Sequence, residues 1–256
     1  MKIFHGTENA NIARPTVLTL GVFDGLHLGH QRIMQTVVER AKDINAVPTA
    51  ITFDPHPRAV LHPETAPPLL QTLDQRLAAL EVLGIEQAIV IRFNKDFAAH
   101  EAEDFLRNVV YERLHAKEVY LGKGFEFGKN RKGNIELLRK TSQELGFFAD
   151  EVPEVRLRGR RISSSRIREF LRQGKVNLAR RMLGRPYGIE GQIVRGAQRG
   201  RTIGLPTANL KPRNRVVPKF GVYATATLIE GVWRRSITNV GVRPTFENEA
   251  EPSIES

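Results

Sequence analysis

The chain has 256 residues, 41% of them hydrophobic and 26% charged, which excludes intrinsic disorder and leaves room for one large domain or two ordinary ones. It has no cysteine, so disulfides, thiolate metal sites and thiol catalysis are excluded. The formal net charge of +11 is unevenly placed: residues 151–256 carry 21 Lys and Arg against 9 Asp and Glu, while residues 1–150 carry 18 against 19. The excess is densest from Arg156 to Arg201, where it serves either as a phosphate-attracting patch or as a solvated basic face. Met1 to Glu8 lacks the apolar core of a signal peptide, and no stretch is long and apolar enough to span a bilayer. A cytoplasmic chain with no membrane partner is the expectation.

In chain order, Val17 to Val22 reads as a buried strand, and Gln31 to Ile44 as a helix with Ile33, Met34, Val37 and Val38 on one face. Pro48 to Phe53 is a second strand. Asp74 to Leu83 is a helix closed by Gly84, and Gln87 to Ile91 a third strand. Glu101 to Leu114 is helical, Glu118 to Gly122 a fourth strand, and Ile135 to Glu144 a helix capped by Gly146. This alternation predicts an α/β fold, a doubly wound parallel sheet with helices on both faces. Such sheets bind ligands beyond the carboxyl ends of their strands, where the strand order reverses. After Pro186 the pattern changes to β-rich runs, Tyr187 to Val194, Gly221 to Ile229 and Trp233 to Val240, which predict an antiparallel barrel or sandwich. The boundary is placed near Gly184-Arg185-Pro186, giving domains 1–184 and 185–256.

Two segments carry chemistry. The first, His27-Leu28-Gly29-His30, lies between the first strand and the first helix, after the turn Asp24-Gly25. Gly29 has no Cβ and lets a phosphate approach the backbone, while the helix directs its first amides and dipole at it. Two imidazoles there can donate to triphosphate oxygens as charge shifts during displacement. The bland alternative is a pair of histidines on a surface turn. The second segment is Arg161-Ile162-Ser163-Ser164-Ser165-Arg166-Ile167-Arg168. Serines that start a helix among arginines form an anion site, or else a plain cap with solvated arginines. On the residues alone both readings stay open.

Together, the Gly21-Val22-Phe23-Asp24-Gly25-Leu26-His27-Leu28-Gly29-His30 turn and the Ile162 to Arg168 segment resemble the bacterial bifunctional riboflavin kinase/FAD synthetases. Thr52 to Pro57, Gly122 to Gly128, Gly204-Leu205-Pro206-Thr207-Ala208-Asn209 and Asn239 to Phe246 follow in that family's order, so the resemblance spans essentially the whole chain. It implies an N-terminal FMN adenylyltransferase domain of nucleotidyltransferase fold and a C-terminal kinase barrel. FMN would attack the α-phosphorus of ATP to give FAD and pyrophosphate, and riboflavin would be phosphorylated by a second ATP. By position, His27, His30 and Arg168 would be catalytic. Gly21, Phe23, Asp24, Gly29, Arg161, Ser163, Ser164 and Ser165 would bind ATP, and Asp54, Pro55, His56, Pro57 and Phe125 would lie on the flavin side. In the kinase domain, Gly204, Pro206, Thr207 and Asn209, with the Gly196 to Gly200 turn, would hold the nucleotide. Thr207 and Asn209 would also bind Mg²⁺, the implied metal, as hard oxygen ligands. Glu255 stands at the place of the general base.

Gly124 departs from the pattern, since the family usually has Asn or Asp there. The chain also stops at Ser256, one residue after Glu255, where resembling proteins continue. The expectation is a truncated kinase domain, with Glu255 unanchored and riboflavin phosphorylation impaired. Other His-x-Gly-His nucleotidyltransferases lack the Pro206-Thr207-Ala208-Asn209 and Arg243-Pro244-Thr245-Phe246 segments, and a tRNA synthetase would need a Lys-Met-Ser-Lys-like loop that is absent. No aromatic platform interleaves with the C-terminal arginines, which argues against nucleic acid as a partner. ATP, FMN and riboflavin are the expected partners.

Overall fold

The computed structural model describes residues 1–10, 12–194, 207–242 and 252–256. Gly204, Pro206, the Gly196 to Gly200 turn and the Arg243 to Phe246 motif lie outside the described residues. The chain divides into two compact units, one of residues 1–67 and 73–163, the other of residues 68–72 and 164–256.

The elements of the first unit follow in chain order as β1 Lys2–His5, β2 Thr16–Leu20, α1 Leu28–Asp43, β3 Val47–Asp54, α2 Pro57–Leu61, α3 Leu73–Val82, β4 Gln87–Arg92, α4 Lys95–Ala98 and α5 Ala102–Asp104. A π-helix, Phe105–Arg113, comes next, then β5 Ala116–Gly122, α6 Ile135–Leu145, β6 Phe148–Val152 and the small hairpin of β7 Arg156–Leu157 and β8 Arg160–Arg161. Six of these strands form one sheet in the order β1-β4-β3-β2-β5-β6, every pairing parallel. The expected parallel α/β sheet is therefore present.

Alternate residues of each central strand enter different cores. Leu18, Leu20, Ile51, Phe53, Ile89, Ile91, Val119 and Leu121 pack with Leu106 and Val110 of the π-helix and Leu138 of α6. Their neighbours Val17, Ala50, Ala88, Val90 and Tyr120 pack with Ile33, Met34 and Val37 of α1 and with Leu77 and Leu80 of α3. Period two along the strands thus separates two buried faces, which is why these strands read as unbroken apolar runs. Each fully buried Leu, Ile or Met contributes about 1.5–3 kcal/mol.

β2 is the switch point. It pairs with β3 on one side and β5 on the other, so the chain leaving it crosses to one side and later returns to the other. The residues that follow β2, from Gly21 to His30, consequently stand at the sheet's ligand-binding end.

The second unit contains α7 Ser164–Arg172, α8 Val176–Leu183, β9 Gly191–Val194, β10 Asn209–Pro212, β11 Gly221–Ile229, β12 Val232–Val242 and β13 Pro252–Glu255. The strands form an antiparallel sheet in the order β11-β12-β13-β10-β9. Only Gly191–Val194 of the expected run from Tyr187 is strand. The Tyr187 hydroxyl instead donates toward the carbonyls of Leu70 (2.9 Å) and Val216 (2.7 Å). One sheet face carries a row of linked hydroxyls, Thr225 and Thr227 on β11 with Ser236 and Thr238 on β12, spaced 2.7 Å apart. The other face leaves Val222, Leu228, Trp233 and Ile237 exposed. Gly184, where the composition changes, is the left-handed C-cap of α8.

Candidate functional site

The turn after β2 is packed around its own aromatic rings. Gly21 N–H continues the ladder to the Ile51 carbonyl at 3.0 Å, after which the chain reverses through Phe23, a non-glycine residue with φ +53°. The Phe23 ring folds back over Gly21, where a Cβ would meet it at 2.9 Å. His27 is the N-cap of α1. Its Nδ1 accepts from His30 N–H at 3.3 Å, so the proton of the neutral ring resides on Nε2. Capping by the imidazole brings its ring against Gly29, where a Cβ would lie 3.1 Å from Cε1 and Nδ1. Glycine at 21 and 29 therefore makes room for the site's own rings, a second reason beside phosphate approach.

The His27 and His30 rings stack with centroids 3.7 Å apart, 18° from parallel. The Phe23 and His30 rings meet nearly at right angles, centroids 5.4 Å apart. His30 Nδ1 is enclosed and makes no hydrogen bond among the described residues. Burial first, and then the proximity of His27, hold the His30 imidazole well below the ordinary histidine range, so it is neutral near pH 7. The first turn of α1 carries no acidic side chain to offset its amides. Two stacked imidazoles, that of His30 neutral, at a helix start without acidic side chains form a donor surface for an anion.

One residue of this region escaped sequence reasoning. Arg76 of α3 is 2% exposed, and its Nη1 donates to the Val22 carbonyl at 2.7 Å. Thr52 Oγ1 donates to the same carbonyl at 3.2 Å. The signal was available: Leu73, Arg76, Leu77 and Leu80 share one helical stripe, so the arginine stands in an apolar row.

The other expected residues fall as follows. Asp24 is buried, and Asp54 lies 3.7 Å from Arg76 Nη2. The Asp54–Pro55 peptide is cis, and His56 caps α2 by accepting from Arg58 N–H at 3.0 Å, with Pro57 at the first helical position. Phe125 is part-buried and stacks on Phe127 at 6.3 Å. Arg161 on β8 faces Glu154 at 3.5 Å. Ser163 closes the first unit, whereas Ser164, Ser165 and Arg168 belong to the second, so the two expected ATP segments are divided between units. Arg168 is buried, and its Nε donates to the Pro68 carbonyl at 2.7 Å.

In the second unit the sheet register brings three expected residues together. Asn209 on β10 is paired with Glu255 on β13, and Thr207 Oγ1 donates to Glu255 Oε1 at 2.6 Å. The expectation that Glu255 lacks anchoring is corrected here. β13 lies between β10 and β12, so Glu255 is held by a ladder on both sides.

Residues 9–166 match the family model of FAD synthetase and residues 183–256 that of riboflavin kinase. The chain is 35% identical to the bifunctional riboflavin kinase/FMN adenylyltransferase of Haemophilus influenzae, over 96% of this chain and 80% of that protein. It is 35% identical to the Escherichia coli K12 protein of the same description, over 96% and 79%, and 33% identical to the Pseudomonas fluorescens one, over 100% and 82%. A crystal structure described as a macrolide-efflux protein from Streptococcus pneumoniae superposes with a TM-score of 0.89 at 29% identity, covering all of this chain and 84% of that one. Among the described residues no helix is long and apolar enough to cross a membrane.

Proposed function

Because the chain belongs to the bifunctional riboflavin kinase/FMN adenylyltransferase family, and is a nucleotidyltransferase and kinase that makes FAD from FMN and FMN from riboflavin, we propose that its adenylyl transfer is run by the stacked pair His27 and His30. The carrying observation is that pair, stacked at the start of α1 with the His30 ring held neutral.

An oxygen of the FMN phosphate attacks the α-phosphorus of ATP. The new P–O bond forms as the α–β bridging bond breaks, and its electron pair leaves with pyrophosphate. Both reactants are anions, so alignment and charge neutralisation are what the protein supplies. His27, with its proton on Nε2, donates toward triphosphate oxygens, and His30 and the α1 amides stabilise the charge that shifts to the leaving group. A bound triphosphate favours the protonated form of His30, so ATP binding takes up protons as the pH falls toward the histidine range. Gly21, Phe23, Asp24 and Gly29 shape this turn. Asp54, Pro55, His56, Pro57 and Phe125 are assigned to the flavin on the family's pattern. Arg161, Ser163, Ser164, Ser165 and Arg168 are assigned to ATP on the same ground.

For the kinase reaction Thr207 and Asn209 are assigned to Mg²⁺ and Glu255 to the riboflavin hydroxyl. Hydroxyl, amide carbonyl and carboxylate oxygens gathered at one place fit a hard divalent cation. The ion supplies charge neutralisation on the phosphates when bound. Glu255 accepts the proton of the attacking hydroxyl.

The test is incubation with ATP, Mg²⁺ and either FMN or riboflavin, with the flavins separated by chromatography. FAD from FMN that disappears in His30→Ala supports the reading, and undiminished FAD formation by a folded His30→Ala chain overturns it.

A further inference from the structure

We propose that Arg76 is a positioning residue for adenylyl transfer: a buried clamp that fixes the Val22–Phe23 turn and through it sets the Phe23 ring against His30. The inference rests on the assignment of that transfer to the histidine pair.

A fully buried guanidinium needs a reason. It remains charged, and Arg76 is only 2% exposed. Its Nη2 stands 3.7 Å from Asp54 Oδ1, beyond hydrogen-bond range, and neither Nη2 nor Nε makes a hydrogen bond among the described residues. Asp54, and more weakly Asp24, supply compensating charge. Such an arrangement stabilises less than an apolar side chain of equal volume on the same stripe as Leu77 and Leu80. What an apolar side chain cannot do is donate to the Val22 carbonyl, the one side-chain hydrogen bond Arg76 makes among the described residues.

That carbonyl is the hinge of the site. Phe23, the next residue, holds φ +53°, which costs a side-chain-bearing residue about 1–2 kcal/mol and persists only where its surroundings fix it. Two donors do so here, Arg76 Nη1 at 2.7 Å and Thr52 Oγ1 at 3.2 Å. The peptide so held aims the Phe23 ring across Gly21 and into perpendicular contact with His30, which stacks on His27. The path from Arg76 to the imidazoles is therefore one hydrogen bond, one constrained residue and two ring contacts, all within the first unit.

The experiment compares wild type, Arg76→Met and Arg76→Lys by steady-state FAD formation and by NMR titration of the His30 ring. In Arg76→Met the kcat falls about 100-fold, the loss expected from misplacement by roughly 1 Å. KM for ATP changes little, and the His30 titration moves up toward the ordinary range as Phe23 releases it. In Arg76→Lys, which keeps a donor and the charge but not the planar guanidinium that fills the site, kcat falls only about tenfold. A folded Arg76→Met chain with wild-type kcat and an unmoved His30 titration overturns the proposal. If that variant does not fold, Arg76→Lys decides by the same two readouts, wild-type behaviour in both being fatal. Absence of FAD formation by the wild type would instead overturn the adenylyl-transfer reading, while the His30 titration still reports on the clamp.

Discussion

The two units fix their candidate sites by different means. In the first, the parallel sheet buries both faces and the site hangs beyond it, on the turn between β2 and α1. Its geometry depends on a handful of side-chain props: the His27 cap, the Phe23 ring and the donors of Arg76 and Thr52. In the second, the antiparallel sheet carries its residues within the strands. Asn209 and Glu255 face each other because the β10–β13 register makes them do so. A site held by a ladder loses chemistry when a side chain is changed but keeps its shape, whereas a site held by props loses both.

Glu255→Gln gives the largest expected effect and the sharpest test of the ladder side of this contrast. Loss of a general base costs about 10²–10⁴ in rate, so on the role proposed for Glu255 riboflavin phosphorylation falls by that factor. Thermal stability and FAD formation remain at wild-type values, because backbone pairing on both sides of β13 is untouched. A chain that unfolds on this isosteric change would show that the strand depends on its side chain after all.

His30→Ala is the counterpart at the turn. Removing one donor to a developing phosphate charge costs about 10²–10³, so FAD formation falls by that factor, with riboflavin phosphorylation unchanged. Phe23 also loses the ring it packs against at right angles. The contrast with Glu255→Gln therefore predicts altered stability here and none there, checked by melting the two variants side by side.

The pH dependence of stability isolates the imidazole further. Burial and His27 lower the pKa of His30 in the folded chain. Below about pH 6.5, the ordinary histidine value, the unfolded chain binds a proton that the folded chain refuses. Stability is accordingly intact above that value and falls as the pH drops toward the depressed one. His30→Gln removes this component, whose slope for one proton is at most about 1.4 kcal/mol per pH unit. Denaturant titrations at pH 7.5 and 5.5 without ATP measure it. Equal losses in wild type and variant would mean that His30 is exposed enough to titrate normally.

What could be read in the sequence follows the same division. β2, β3, β4 and β5 were legible because a strand buried on both faces is a continuous apolar run. β1 and β6 were not. Lys2-Ile3-Phe4-His5 and Phe148-Ala149-Asp150-Glu151-Val152 are mixed in polarity, and their strand state comes from pairing with Gln87–Val90 of β4 and Glu118–Gly122 of β5. The helix from Glu101 was legible, but its π-helical part was not, since no residue pattern there distinguishes the wider ring. The histidine turn was legible from Gly-x-His-x-Gly-His spacing, but its stacking and neutrality depend on burial that only the fold supplies. Arg76 was passed over because arginines on helices are mostly solvated. The pairing of Asn209 with Glu255 depends on register between strands far apart in sequence, which no local pattern encodes.

The smallest expected effect concerns Gly124, where the resemblance calls for Asn or Asp. The position lies in the first unit, after β5, and has φ +70°, a conformation that glycine adopts freely and Asn tolerates best among the others. A Cβ there meets nothing within 4 Å. The backbone N–H donates to Glu151 Oε1 at 2.7 Å, a bond indifferent to the side chain. Space, backbone angle and hydrogen bonding all therefore admit an asparagine, and Gly124→Asn is expected to change stability by less than about 1 kcal/mol. A β-branched residue is different, because it cannot take that φ cheaply, so Gly124→Val is expected to lose about 1–2 kcal/mol. If polar side chains at this turn touch a substrate, Gly124→Asn lowers KM for FMN or ATP a few-fold at unchanged kcat. That outcome would mark another prop at the strand-end site, and an unmoved KM for both would restrict the props to the β2–α1 turn and Arg76.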